Sequence, residues 1–149
     1  MVAEKKYQIR RLLFIALLGM IVISIVLAAM RRGPWVIPED AARRENPLRP
    51  SPNNLPAARG LYRENCVECH GDTGKGDGPK GRKLFTEPSD LTNTARVGSL
   101  TDGALFYEIS EGRRPMPGFR TRMTEEQRWQ LVLLMRSFSG ASNLEKKKP

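Results

Sequence analysis

The chain has 149 residues with 25 Lys+Arg against 16 Asp+Glu, a formal net charge of +9, 7% aromatics, two Cys and one His. At ~100–200 residues per domain this is material for a single domain. Two Cys are too few for a disulfide-dense scaffold, two Cys and one His too few for a structural zinc site, and a mean hydropathy of −0.44 excludes a multi-span transporter. Residues 1–32 carry a net +5 and the tail a net +2, so the middle of the chain is only mildly basic and nucleic acid loses its support as a partner.

Residues 1–11 form a basic N-terminus with Lys5, Lys6, Arg10 and Arg11. Residues 12–30 contain no charge, and Ser24 is their only clearly polar side chain. A helix of that length spans about 28 Å, close to the hydrocarbon thickness of a bilayer. A cleaved signal peptide is the competing reading, with small residues around Ala28 suited to cleavage. Its apolar core would normally be ~7–15 residues, and this one is longer. The expectation is an uncleaved transmembrane anchor, 12–30. Lys and Arg flank it on both sides, so charge alone does not orient it.

Residues 31–56 read as a Pro-rich linker: Pro34, Pro38, Pro47, Pro50, Pro52 and Pro56 interrupt regular structure, and such chains are extended and semi-rigid. A short helix is expected over 57–65. A Gly-rich loop follows over 71–81, lacking the G-K-[ST] of a phosphate loop and the spacing of a calcium loop. Residues 101–111 read as a helix stopped by Gly112. Residues 124–139 give the clearest helix, with Thr124 and Gln127 as a capping box, Trp129, Val132, Leu133, Met135 and Phe138 on an apolar face, and Gly140 at its end. No alternating strand pattern is present, so the fold expected is all-α. The folded part, 57–144, is small and poor in apolar side chains, and a domain of that size needs a staple. The tail 145–149 is charged.

Cys66-Val67-Glu68-Cys69-His70 uses every Cys and His of the chain in one C-x-x-C-H run, the pattern of c-type haem attachment. Two thiols three positions apart can each form a thioether to one haem vinyl group, and the adjacent imidazole then falls over one face of the iron. A thioredoxin-type C-x-x-C would sit in a βαβ pattern, and a zinc ribbon would have a second ligand pair; neither is present. With one His, bis-His ligation is excluded, and the second axial ligand is Met, Lys or nothing. Outside the apolar segment the Met candidates are Met116, Met123 and Met135. Met116 sits between Pro115 and Pro117, which restrict the backbone that presents its thioether, so it is the favoured candidate. His/Met ligation raises the reduction potential and leaves no open coordination site, which describes an electron carrier.

Cys66-x-x-Cys69-His70-Gly71, the Gly76-Asp77-Gly78-Pro79 loop, Thr101-Asp102-Gly103, Met116-Pro117-x-Phe119 and a C-terminal helix bearing Trp129 together resemble a class I, mitochondrial-type monohaem cytochrome c over residues 57–139. The resemblance implies a small all-α haem domain, here preceded by one N-terminal transmembrane helix, with one covalent haem c. It implies N- and C-terminal helices that cross, bringing Tyr62 against the face at Trp129 and Val132. The family has Gly where this chain has Ala58. It also implies a Pro carbonyl accepting from the proximal His, matched here to Pro79. Haem attachment in that family occurs outside the cytoplasm. The N-terminus is therefore expected inside and residues 33–149 on the periplasmic side of a bacterial inner membrane.

The expected role is single-electron transfer, not catalysis by this chain alone. Arg113, Arg114, Arg120 and Arg122 around Met116, with Lys75, Lys80, Arg82 and Lys83 after His70, would steer an acidic docking partner. The stretch Pro38 to Pro47 is similar to monohaem cytochrome subunits of bacterial quinol-oxidising assemblies such as alternative complex III. The chain is thus expected as a subunit of a respiratory or photosynthetic complex. The alternatives are a tethered shuttle between separate complexes and, if Met116 does not bind, a haem sensor or peroxidase-like enzyme with an open iron.

Overall fold

The computed structural model describes residues 2–30, 33 and 35–140. The expected basic tail 145–149, with residues 31, 32, 34 and 141–144, lies outside the described residues. The chain forms two compact units, Met1–Trp35 and Val36–Pro149.

The first unit is one helix, α1 (Val2–Met30). It begins ten residues before the uncharged segment expected to span a membrane, because Lys, Glu, Gln and Arg are good helix formers and nothing in residues 2–11 breaks the turn. The stretch Glu4–Leu27 is long and apolar enough to cross a membrane, and none of it is buried within the protein.

The second unit is helical, with no strand among the described residues. It contains α2 (Glu39–Ala42), α3 (Asn54–Asn65), α4 (Val67–His70), a 3₁₀ turn (Gly81–Lys83), α5 (Thr94–Ser99), α6 (Asp102–Glu111) and α7 (Glu125–Ser139). The all-α expectation holds. α3 starts three residues earlier than expected: Pro56 falls in its first turn, where an amide N–H has no intrahelical partner to lose. Thr101 caps α6 by accepting from the Ala104 amide, and Gly112 ends that helix at φ +62°. Thr124 and Gln127 form the reciprocal capping box of α7, and Gly140 closes it in the left-handed conformation. The sequence carries no periodic signal for α4 and α5, which are short and held by tertiary contacts.

α3 and α7 make the most extensive helix contact. Ala58 on α3 is fully buried in the core, whereas a side chain at Gly60 would meet open space. The small residue that serves the close approach is therefore Ala58. Tyr62 packs edge-on against Phe138 at a centroid distance of 5.2 Å, while Trp129 stacks on Phe106 at 4.0 Å. All of these rings belong to or pack on one core with Leu105, Val132 and Leu134, but the ring partner of Tyr62 is one helical turn and more beyond the expected Trp129–Val132 face. Arg136 fastens α7 to the turn before α6: Nε donates to Asp102 Oδ1 at 2.8 Å, Nη1 to the Val97 carbonyl at 2.5 Å and Nη2 to the Leu100 carbonyl at 2.6 Å.

The expected linker 31–56 needs correcting. Its described part from Val36 onward belongs to the compact unit, and it contains the helix α2. Its polar groups find partners on α6 and α7: Asn46 is buried and donates to the Trp129 carbonyl at 3.1 Å, and Thr101 Oγ1 donates to the Ala42 carbonyl at 2.6 Å. Proline spacing predicts interruption of regular structure, but it does not predict that the interrupted chain stays off the surface.

Candidate haem site

α4 places Cys66, as the residue before its first turn, Cys69 and His70 within one helical turn. The turn is closed by the amides of Cys69 and His70, which donate to the Cys66 carbonyl at 3.1 and 2.8 Å. Both cysteines are free thiols and half-buried. Burial, with the neighbouring Cys69 adding to it, pushes the Cys66 thiol up to about 12. The thiol is thus held protonated, unlike the low-pKa cysteines of redox catalysts. Burial also lowers the His70 imidazole from its ordinary value, with Arg96 acting in the same direction. The ring is therefore held neutral, the form in which a nitrogen can ligate a metal.

The loop after α4 is built to return the chain to His70. Gly71, Gly74 and Gly76 all have positive φ. The Gly76 amide donates to the His70 carbonyl at 2.9 Å, and the Leu91 amide to the Gly74 carbonyl at 2.7 Å. A Cβ on Gly76 would collide with the Pro88 carbonyl oxygen. This second passage of the chain brings the Ser89 carbonyl oxygen to 3.2 Å from His70 Nδ1. A carbonyl can only accept, so Nδ1 carries the proton in this contact and Nε2 keeps its lone pair. The carbonyl expected from Pro79 is thus replaced by that of Ser89. Pro79 is an exposed loop residue, and the chain reaches the imidazole only on its later pass through Pro88–Leu91. No side-chain signal marks a backbone acceptor, and only the tight approach at Gly76 betrays it.

Tyr62 donates its hydroxyl to the Gly71 carbonyl at 2.7 Å, which ties α3 to the end of α4. Burial raises its pKa from the ordinary tyrosine value. Cys66, Val67 and Met116 are half-buried and pack against the same core cluster. The Met116 amide donates to the Arg113 carbonyl at 3.1 Å. Met123 is buried in the core at 8% exposure and Met135 likewise, so both are committed to packing.

A residue that the sequence did not single out stands out here. Arg96, on α5, donates from Nη2 to both carboxylate oxygens of the buried Glu108, at 3.1 and 3.4 Å. Its Nη1 is buried and has no hydrogen-bond partner among the described residues. A buried cationic N–H without a partner there suits an anionic group. Two thiols, a neutral imidazole, a thioether, an apolar core wall and this orphan donor are the set that a haem with its propionates requires, so the residues present fit that group. In an arginine-rich chain nothing in sequence separates Arg96 from solvated charge.

The basic rim is partly consumed internally. Arg120 pairs with Glu111, Lys80 lies 3.8 Å from Glu68, and Arg122 lies over the Phe119 ring at 5.7 Å. Arg82, Lys83 and Arg114 are exposed and make no ion pair among the described residues.

No curated protein sequence matches the chain. Among solved structures, it is similar to a chain of the Kuenenia stuttgartiensis reducing HAO-like protein complex, with 24% identity and a TM-score of 0.54 over 74% of this chain. This chain covers about half, 52%, of that one. It is also similar to the KustC0563 c-type cytochrome, with 24% identity and a TM-score of 0.48 over 54% of this chain and 95% of that one. The first likeness is one of fold. Residues 53–135, the span that holds α4, the returning loop, Arg96 and Met116, match the family described as cytochrome C oxidase, cbb3-type, subunit III. The chain belongs to that family, and its domain is a c-type cytochrome domain, which implies covalently bound haem c and electron transfer.

Proposed function

We propose that the protein is a membrane-anchored carrier of single electrons, with one haem c per chain that Cys66 and Cys69 would hold by thioethers and whose iron His70 and Met116 would ligate. The observation that carries this reading is the His70 imidazole beside both cysteines, neutral and with Nδ1 engaged by the Ser89 carbonyl. When bound, the haem supplies an iron that alternates between two oxidation states one electron apart. The chain's own residues do the rest. Cys66 and Cys69 fix the group to α4. The Ser89 carbonyl orients His70 and strengthens it as a base toward metal. Met116, between two prolines, offers a thioether that closes the site against exogenous ligands. Arg96 Nη1 offers its free donor to a propionate carboxylate. The core of Tyr62, Leu105 and Trp129 keeps water away, which limits the reorganisation that accompanies each transfer.

α1 is the anchor in this reading, residues 1–11 lie in the cytoplasm and the haem domain works on the periplasmic side. Arg82, Lys83 and Arg114 steer an acidic face of a partner. The role extends to a subunit of a respiratory or photosynthetic complex of the quinol-oxidising type, supported by the resemblance of the Pro38 to Pro47 stretch. Purified full-length protein is expected to hold one covalent haem by pyridine haemochrome assay and to show the long-wavelength band of Met–iron ligation when oxidised. Absence of covalent haem, or more than one per chain, would overturn the reading.

A further inference from the structure

Residues 39–48 do not behave as a spacer. The Ala42 carbonyl accepts from Thr101 Oγ1 at 2.6 Å. A Cβ on Gly103 would collide with the Ala41 carbonyl oxygen and the Arg44 backbone, so α6 gives up a side chain to let this segment lie against it. The Arg44 guanidinium lies 4.6 Å from the Phe106 ring centroid and 5.3 Å from that of Trp129, and it pairs with Glu125 at the start of α7. Asn46 is 7% exposed; its Nδ2 donates to the Trp129 carbonyl at 3.1 Å and its Oδ1 accepts from the Leu48 amide at 2.9 Å. Leu48 packs on the core. A buried amide is tolerated only when both of its ends are bonded, so this contact is specific and not incidental covering.

We infer that residues 39–48 are a clamp that shortens the tether, so that the haem domain exchanges electrons with a fixed membrane-bound neighbour that has an acidic docking face, and not with partners reached by swinging. This rests on the reading of α1 as an anchor and of the domain as an electron carrier. With the clamp closed, the tether ends no later than Pro38, where α2 begins, and so reaches at most about 28 Å when fully extended. With it open, the tether would run to the start of α3 at Asn54 and reach about 80 Å. Effective concentration falls roughly as the −3/2 power of tether length, so opening the clamp dilutes the domain at a fixed partner about fivefold.

The test uses full-length holoprotein, with electron transfer read in native membranes as the rate of haem re-reduction after an oxidising pulse. Wild type is expected to show slow amide exchange over residues 39–48. Asn46→Ala is expected to speed that exchange at least tenfold, to leave the haem spectrum unchanged, and to slow re-reduction about fivefold. A 15-residue Gly/Ser insertion between Pro38 and Glu39 lengthens the tether without touching the clamp. It is expected to slow re-reduction to the same extent while exchange over 39–48 stays slow. Rapid exchange in wild type overturns the clamp, and an unchanged rate with the insertion overturns the fixed neighbour. Extraction of wild type by alkaline carbonate, or loss of its haem, would instead overturn the anchored-carrier reading and the tether role with it.

Discussion

His70 Nδ1 lies 3.2 Å from the carbonyl oxygen of Ser89, nineteen residues further along the chain. The contact depends on Gly76, at φ +81°, whose missing side chain admits the Pro88 carbonyl. Gly76→Ala is expected to displace the 88–89 segment. The imidazole then loses its acceptor and becomes a weaker base toward metal, and the oxidised iron is less well stabilised. The reduction potential should rise in a redox titration, with a stability loss of about 1–3 kcal/mol in thermal unfolding. A lowered stability with an unchanged potential would show that the Ser89 carbonyl does not tune the site.

The three methionines of the second unit, Met116, Met123 and Met135, separate by environment. Met116→Ala should abolish the Met–iron band of the oxidised protein. Met123→Ala should keep the band and cost about 2–5 kcal/mol, because it empties a buried core position. The reverse pattern in absorption and denaturant unfolding would reassign the ligand.

Glu108 gives a pH prediction. Burial raises its carboxyl above the ordinary glutamate value, against the opposing influence of Arg96. The folded state therefore holds the proton more tightly than the unfolded chain. Stability contributed by the protonated form is complete below pH ~4.5 and is lost as pH rises through the folded-state value. Glu108→Gln should flatten the fall in thermal stability over that rise, measured as Tm against pH on the holoprotein. An unaltered slope would assign it to another group.

Arg82 and Lys83 are exposed in the turn that packs on α4 and make no ion pair among the described residues. The double change Arg82→Glu with Lys83→Glu is expected to slow electron transfer roughly tenfold at low ionic strength. The gap should close as the Debye length shrinks below ~10 Å near 0.1 M salt. Rates that respond equally to salt in both proteins would remove these cations from the docking surface.

Local chemistry makes much of this protein legible from its sequence. Cys66, Cys69 and His70 need only one helical turn to meet, so their spacing already encodes the attachment motif. Thr101 with Gly112, and Thr124 with Gln127 and Gly140, define α6 and α7 because caps act over three or four residues. The uncharged run 12–30 names an apolar helix by length alone. What tertiary structure decided lies in contacts between residues distant in sequence. The acceptor for His70 is a backbone carbonyl nineteen positions away, where the sequence pointed to Pro79. Arg96 matters because Glu108 holds one of its nitrogens and burial isolates another. Asn46 and Arg44 turn an expected linker into part of the domain by finding Trp129, Phe106 and Glu125 more than sixty residues further on. Periodicity and capping are short-range and survive in sequence, whereas the partner of a polar group depends on which surfaces the fold brings together.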